Sequence, residues 1–205
     1  VQIATGTPHP LAHAVTIDDE GAAHAMTRRL IGLGHRRIGL VCGASDQTAS
    51  ALRRAGYERA LAEAGIDPEP ALVEAGDFTY RSGMQAAERL LDLADPPTVI
   101  FASNDDMAAG CMASAQRRGL DVPRDLSICG FDDTAMATTV WPELTTIRQP
   151  IARMARSAVQ MATSHVRQRD GTAPAEVKRE CLPFELVARA SDGPAPASLR
   201  TRRPA

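Results

Sequence analysis

The sequence has little of what several large protein classes require. No apolar run in its 205 residues approaches the roughly 20 residues that a membrane-spanning helix needs. The formal net charge is only −2, and lysine occurs once, at Lys178, so the basic residues are scattered arginines. A balance of this kind argues against a protein that binds nucleic acid over its whole surface.

Patterns for metal binding and for disulfides are also missing. The four cysteines lie far apart and form no CxxC pair, and the five histidines show no spacing that would place them on one face. A zinc site and a disulfide framework are therefore not expected. The sequence predicts no metal, no cofactor and free, buried thiols in a reducing compartment, at Cys42, Cys111, Cys129 and Cys181.

The motifs of common α/β enzymes are absent as well. There is no GxGxxG after a strand, no GxxxxGK[ST] and no GxSxG. A phosphatase-like enzyme would need a nucleophilic Asp early on the first strand and a lysine, but Lys178 lies in a late extended segment. We therefore predict that the chain is not an enzyme, with an α/β hydrolase or phosphatase kept as an alternative.

Over most of the chain, short apolar segments typical of strands alternate with longer segments whose apolar residues recur at helical spacing. This pattern is typical of a parallel sheet covered on both faces. The opening VQIAT looks like a strand, and later segments are extended around one long helix. The predicted helices are 20–34, 48–65, 80–94, 106–119 and 151–169; the predicted strands are 14–17, 36–43, 71–78, 98–102 and 126–133; the later extended segments are 141–150, 175–181 and 183–191.

Polar side chains gather where the predicted strands end, which is where open α/β sheets bind ligands. The set combines carboxylates, an amide, one arginine one turn into a helix, and one aromatic ring. Such a set suits a sugar or another small polar ligand, because it can accept and donate hydrogen bonds and cover an apolar face. Its members are Asp18, Asp19, Arg53, Phe78, Asn104, Asp105, Asp132 and Asp133.

Structural roles compete with ligand binding at each position. Asn104 or Asp105 could cap the helix that starts at 106, and Asp19 is expected to cap the helix that starts at 20. An arginine such as Arg53 is often a solvated helix position, Phe78 could be a core residue, and Asp132 could start a turn. Our interpretation is that Asn104 faces the ligand cleft, whereas Asp105 and Asp106 start the helix.

Several longer motifs together resemble the ligand-binding core of LacI/GalR-type bacterial transcription regulators. They follow in the expected order over residues 15–190: LIGLGHRRIGLVCG, SALRRAGYERAL, GDFTYRSG, PPTVIFASNDDMAAG, GLDVPRDLSICGFDD and PELTTIRQP. The resemblance implies an α/β, periplasmic-binding-protein-like fold, in which two subdomains are joined by three strand connections and the effector lies between them. It also implies a small-molecule effector, by default a carbohydrate, although nucleobases and other compounds also occur in the family, and it implies no cofactor.

The same resemblance assigns roles to single residues. Arg53 stands where the family has its effector-contacting arginine, and Phe78 where an aromatic ring packs on the ligand. Asn104 and Asp132 match the amide and the carboxylate that bind effector hydroxyls. The resemblance also implies a ligand contact for Asp18, but the motif there matches the family less closely. The resemblance implies structural roles for Asp105 and Asp133.

The family pattern also implies an organisation. A C-terminal effector-binding subdomain is expected at 16–147 plus 183–191, a partial N-terminal subdomain at 1–15 plus 148–182, and a disordered tail at 192–205. The DNA-binding headpiece and several early β/α units of the family are not in this sequence, which therefore resembles a truncated regulator. Operator DNA would be bound only through that headpiece.

The resulting expectation is a cytoplasmic effector-sensing and dimerisation core of a transcription regulator. Its predicted partners are a small-molecule effector and a second copy of the chain, which would pack through the helices at 80–94 and 106–119. The runner-up is a periplasmic sugar-binding protein of a transporter, which would need a signal peptide that this sequence does not show.

Overall fold

The computed structural model describes residues 1–168 and 177–196, without the side chains of 165–168. The described residues form nine strands, six helices and one 3₁₀ turn at Pro70–Leu72. The strands are β1 (Gln2–Ile3), β2 (Ala14–Ile17), β3 (Ile38–Cys42), β4 (Val73–Ala75), β5 (Val99–Ala102), β6 (Ser127–Cys129), β7 (Thr146–Arg148), β8 (Arg179–Leu182) and β9 (Glu185–Val187). The helices are α1 (Asp19–Gly32), α2 (Thr48–Glu63), α3 (Tyr80–Leu91), α4 (Asp105–Arg117), α5 (Met136–Thr139) and α6 (Ile151–Gln168).

The larger sheet has four parallel strands in the order β4-β3-β5-β6. Its central strand β5 is VIFA, and all four of its side chains are buried because helices cover both faces. Helices α1 and α2 contribute to the apolar core on one face, and α3 and α4 to the core on the other. This arrangement confirms the predicted α/β fold with a parallel sheet flanked by helices.

A smaller parallel sheet has the order β1-β2-β8, and α6 packs against it. The chain passes between the two sheets three times: after β2, between β7 and α6, and between β8 and β9. Strands β7 and β9 form an antiparallel pair beside the larger sheet. β2 lies wholly in the smaller sheet and ends at Ile17, two residues beyond the boundary predicted at 15. The other predicted subdomain limits stay a prediction.

Helices α3 and α4 are in unusually close contact, which changes the argument for dimerisation. A Cβ built on Gly83 would lie 2.2 Å from Met107 O, and one built on Gly110 would lie 2.1 Å from Tyr80 O. Most of the large apolar residues of these two helices are buried inside the chain, namely Leu90, Leu91, Met107, Ala109 and Met112, whereas Met84 is half-buried. The number of apolar residues on these helices is therefore weak support for a second, intermolecular face, and the predicted dimer stays a prediction.

Several predicted elements are shorter than expected because their ends carry turns. The strand predicted at 71–78 is only Val73–Ala75, after the 3₁₀ turn. The strand predicted at 126–133 ends at Cys129. The extended segment predicted at 141–150 contains only the strand β7, and the one predicted at 183–191 contains only β9. Residues 175–176 of the remaining extended segment and residue 169 of the last predicted helix lie outside the described residues. Helix α5 was not predicted.

The tail predicted to be disordered from residue 192 starts with an ordered stretch, so that boundary is wrong. Asp192 is 8% exposed, and its carboxylate accepts hydrogen bonds from Arg29 Nε (2.6 Å) and Thr145 Oγ1 (2.5 Å). The Ala195 amide donates to Leu33 O. The rest of the predicted tail, 197–205, lies outside the described residues.

The four cysteines are free, but they do not share one environment. Cys111 and Cys129 are buried, Cys42 is half-buried and Cys181 is exposed, so the expectation of buried thiols is wrong for Cys181. Within residues 1–168 and 177–196 no cluster of histidine, cysteine and carboxylate groups has the arrangement of a metal site. In the same residues no helix is both long and apolar enough to span a membrane.

Candidate functional site

The side chain of Arg53 lies at the centre of the polar groups beyond the strand ends. It projects from the second turn of α2 and is only 5% exposed. Its Nε lies 2.9 Å from Asp19 Oδ1, and its Nη1 lies 2.5 Å from the carbonyl oxygen of Ser103. The guanidinium carbon lies 3.7 Å from the centroid of the Phe131 ring. A buried cation is thus held by a carboxylate, a carbonyl and an aromatic face.

Asp132 approaches the same guanidinium from the end of the β6 segment. Its Oδ1 lies 3.8 Å from Arg53 Nη1 and accepts a hydrogen bond of 2.6 Å from Gln149 Nε2. The backbone of Asp132 has φ 109, and that of Asp133 has φ 57, both outside the range of a strand. The left-handed turn therefore lets both aspartates leave the sheet edge.

Phe78 and Asn104 are neighbours in space. Asn104 Nδ2 donates to Phe78 O at 2.9 Å. The ring of Phe78 lies 6.0 Å from the Arg53 guanidinium carbon and directly over the backbone of Gly43. The structure therefore brings Arg53, Phe78, Asn104 and Asp132 together, although they come from four different strand ends.

Asn104 also caps α4, which the sequence left open between Asn104 and Asp105. Its Oδ1 accepts from Met107 N at 2.9 Å, so both ends of the amide already have protein partners. Asp105 begins the helix and turns inward. Its carboxylate accepts from Thr134 N (2.7 Å) and Thr146 Oγ1 (2.6 Å), a structural use of this side chain.

The roles of Asp18 and Asp19 differ from the sequence prediction. Asp18, not Asp19, is the N-cap of α1, and its Oδ1 accepts from Gly21 N at 2.8 Å. Asp18 is exposed, whereas Asp19 is 3% exposed and pairs with Arg53. The expectation that Asp19 caps this helix is wrong, and the ligand role expected for Asp18 stays a prediction.

Asp133 holds the strand pair beside the cleft together. Its two carboxylate oxygens accept from Arg148 Nε and Arg189 Nη2, each at 2.6 Å. The hydrogen bonds from these two arginines lower the pKa of Asp133 below its usual value, against the effect of burial.

Burial is the main influence on the pKa of the two aspartates beside Arg53, Asp132 and Asp19. Desolvation raises the pKa of Asp132, and Arg53 and the hydrogen bond from Gln149 oppose this effect. Desolvation also raises the pKa of Asp19, again opposed by Arg53. Two carboxylates therefore share one cation, and a ligand that donates hydrogen bonds to Asp132 would relieve part of its desolvation.

Two buried oxygen atoms at this edge have no hydrogen-bond partner among the described residues. They are the hydroxyl of Ser103 and Oε1 of Gln149. Gln149 is 9% exposed and lines a groove of about 600 Å³ together with Asp132 and the first turns of α6. Unsatisfied buried polar atoms are uncommon in native proteins, so these two stand out at this edge of the sheet.

Sequence reasoning missed Phe131, Gln149 and Ser103. Phe131 reads as one more apolar residue of SICGF, and nothing local indicates that its ring stacks on an arginine. Gln149 had a weak signal, because it follows β7 at the point where the chain crosses between the sheets. Ser103 contributes its backbone carbonyl oxygen, which accepts from Arg53. Because every residue has such a group, nothing in the sequence indicates this contact.

Comparisons with known proteins identify the family and agree with the fold. Residues 27–191 match the family described as "Periplasmic binding protein-like domain". The chain is 40% identical over 154 residues to the catabolite control protein A of Priestia megaterium, covering 75% of this chain and 46% of that protein. It is 41% identical over 157 residues to the HTH-type transcriptional repressor CytR of Escherichia coli K12, covering 74% and 46%. The chain therefore spans about half the length of the curated relatives it matches.

Solved structures show the same similarity. The structure described as "transcriptional regulator CelR-cellobiose complex" aligns with a TM-score of 0.85 and 33% sequence identity. The alignment covers 92% of this chain and 57% of the CelR chain. A LacI family regulator from Enterococcus faecium with bound ribose has a TM-score of 0.83 at 27% identity, covering 94% and 69%.

Proposed function

We propose that this chain, which belongs to the periplasmic binding protein-like domain family and to its LacI-type regulators, is the effector-binding core of a transcription regulator. The proposed effector is a carbohydrate or a similar small polyhydroxyl compound. The observation that carries the proposal is the convergence of Arg53, Phe78 and Asp132 at one edge of the larger sheet.

The proposed chemistry follows from the donors and acceptors that remain unused. Arg53 Nη2 makes no hydrogen bond within the described residues, so it can donate to a ligand oxygen. The second oxygen of Asp132 can accept from hydroxyls, and the ring of Phe78 can cover an apolar face of the sugar. Hydrogen bonds to charged groups contribute about 1.5–3 kcal/mol each, enough for specificity between related sugars.

Asn104 and Asp18 have a smaller part in this proposal. Both ends of the Asn104 amide are bonded to protein, so a ligand would share its second Nδ2 hydrogen rather than use a free group. The Asp18 carboxylate caps α1, and its ligand contact stays a prediction on which this proposal does not depend. The proposed ligand set is therefore Arg53, Phe78 and Asp132, with Gln149 holding the Asp132 carboxylate and Asn104 fixing the loop of Phe78.

The experiment is a calorimetric titration of the purified chain with ribose, cellobiose and a panel of common sugars. Arg53→Ala should weaken binding of the best sugar at least tenfold, or about 1.4 kcal/mol. Arg54→Ala is the matched control, since Arg54 is the next residue, is exposed and pairs with Glu58. Equal losses in both variants, or no loss in Arg53→Ala, would refute the assignment.

The wider biological role rests on relatives that are named as transcriptional repressors or regulators, such as CytR, CelR and PurR. We propose that ligand binding at this site controls DNA binding by another part of the regulator, in the cytoplasm, and that the chain has no catalytic activity. A turnover screen on the sugars that bind tests the last point, because a released product would favour the hydrolase alternative.

A homodimer belongs to the same proposal, on different grounds from those in the sequence. Trp141 is 78% exposed in the loop after α5, and its carbonyl oxygen accepts from Gln116 of α4. Such an exposed indole is typical of interfaces. Sedimentation should show a dimer that Trp141→Ala weakens. Leu11→Ala is the control, since Leu11 is 82% exposed near the smaller sheet.

A further inference from the structure

The Arg53 guanidinium is held by groups of the protein itself, and one of them is a buried carboxylate. Arg53 Nε donates to Asp19 Oδ1 over 2.9 Å, and the two side chains are 6% and 2% exposed. Asp132 is farther away, at 3.8 Å, and more exposed, at 26%. Asp19 is therefore the closest charged partner of this arginine.

The three contacts of Arg53 leave its orientation little freedom. Nε is tied to Asp19, Nη1 to the carbonyl of Ser103, and the flat face lies 3.7 Å from the ring centroid of Phe131. Hydrogen bonds at two edges fix the rotation of the planar group, and the ring fixes its tilt. The edge that remains, Nη2, is the one without a partner among the described residues.

Asp19 is also placed where the chain crosses between the sheets. β2 ends at Ile17, Asp18 caps α1, and Asp19 is the first residue of the helix. The carboxylate position is therefore determined by the crossover and by the start of α1. Through Asp19, the first connection between the sheets is joined directly to an arginine of α2.

We propose that Asp19 is a positioning residue of the ligand site: it does not touch the effector, but it holds Arg53 so that Nη2 is presented to the effector. This inference rests on the function proposed above for Arg53. It explains why a second carboxylate is buried beside Asp132, although a single arginine is available to both. An unpaired buried arginine would otherwise turn toward solvent or toward Asp132.

The test uses Asp19→Asn in the 205-residue chain, since asparagine keeps the shape and removes the charge. Glu20→Gln is the matched control. It makes the same chemical change one residue later, on a carboxylate that also pairs with an α2 arginine, Arg59, but on the surface. If removing any carboxylate charge from α1 were enough to weaken ligand binding, both variants would show the weaker binding.

The first measurement needs no effector. The Arg53 Nε–H signal in a ¹H–¹⁵N spectrum, assigned by its disappearance in Arg53→Lys, should be protected from solvent exchange in the parent chain. It should shift and exchange at least tenfold faster in Asp19→Asn, and stay unchanged in Glu20→Gln. Continued protection in Asp19→Asn would overturn the proposal, since the guanidinium would then be held without the charge of Asp19.

The second measurement separates positioning from a merely structural role. With ribose or cellobiose as probe, Asp19→Asn should weaken binding about tenfold in the parent chain and hardly at all in an Arg53→Lys background. An equal loss in both backgrounds would mean that Asp19 acts only on stability. If neither sugar binds the parent chain, the proposed function loses its support, and the spectrum still decides the role of Asp19.

Discussion

The ring of Phe78 lies directly on the backbone of Gly43. A Cβ built on Gly43 would be 1.9 Å from Phe78 Cζ and within 2.4 Å of two further ring atoms. Gly43 follows β3 and Phe78 follows β4, so the absence of a side chain at one strand end determines where the aromatic ring at the next one lies. Phe78 itself has φ 67, which directs the loop back over the sheet edge.

Gly43→Ala should therefore move the Phe78 ring and weaken ligand binding, with a smaller effect on stability because a ring can rotate away. We expect a loss of about tenfold in affinity, measured by calorimetry with the best sugar of the panel. Phe78→Ala should cause a similar loss, and the double variant should lose no more than the single variants. Additive losses would show that Gly43 acts independently of the ring.

Gly110→Ala should destabilise the chain strongly. The new methyl group would lie 2.1 Å from the backbone oxygen of Tyr80, and α3 would have to move as a unit. Overpacking of this kind costs about 1–3 kcal/mol or more. Gly32→Ala is the control, since a Cβ there meets nothing within 4 Å. Urea denaturation should show a lower midpoint only for Gly110→Ala.

Asp192→Asn should show that the ordered stretch after β9 contributes to stability. Asp192 accepts from Arg29 and Thr145, and its side chain is 0% exposed. The loss of charge weakens hydrogen bonds that contribute about 1.5–3 kcal/mol each, less at the Arg29 end because that side chain is partly solvated. Asp92→Asn removes an exposed pair with Arg118 and should change the free energy of unfolding by less than about 1 kcal/mol. Similar effects from both would contradict the proposed role.

His35 should make stability depend on pH. The imidazole is 0% exposed, with Nδ1 near Thr98 Oγ1 (2.8 Å) and Nε2 near Gly193 O (3.0 Å). Burial lowers the pKa of His35 below its ordinary 6.5, opposed by the Gly193 bond and by Asp192. Between the lowered pKa of the folded chain and the pKa of 6.5 of the unfolded chain, the unfolded chain binds more protons than the folded chain. This contribution to stability is thus complete above pH 6.5 and is lost as the pH falls, by up to about 1.4 kcal/mol per unit.

His35→Ala should reduce the loss of stability between pH 7 and 5, although it lowers stability at pH 7. Asp105 changes stability in the opposite direction in this range, because burial raises its pKa to about 6. The quantity to compare is therefore the difference in slope between parent and variant, from urea titrations at several pH values. His9→Ala, at an exposed position, is the control. An unchanged slope in His35→Ala would contradict the argument.

The sequence by itself determined the order of the elements and the edge at which the site lies. Short apolar runs such as VIFA, each followed by turn residues and a helical pattern, are typical of buried parallel strands. A polar residue that follows such a strand lies at the carboxyl edge of the sheet. For that reason Arg53, Phe78, Asn104 and Asp132 could be grouped without coordinates, and the family motifs then supplied their expected roles.

Only the tertiary structure decided which carboxylate serves which purpose. Asp18 and Asp19 are adjacent and chemically identical, yet one caps a helix and the other binds an arginine 34 positions away, because helix geometry points their side chains in different directions. The stacking of Phe131 and the partner of Gln149 depend on distances between segments that are remote in the sequence. Local patterns place residues at an edge, whereas the packing of α2 against the sheet and the crossovers determines which atoms meet there.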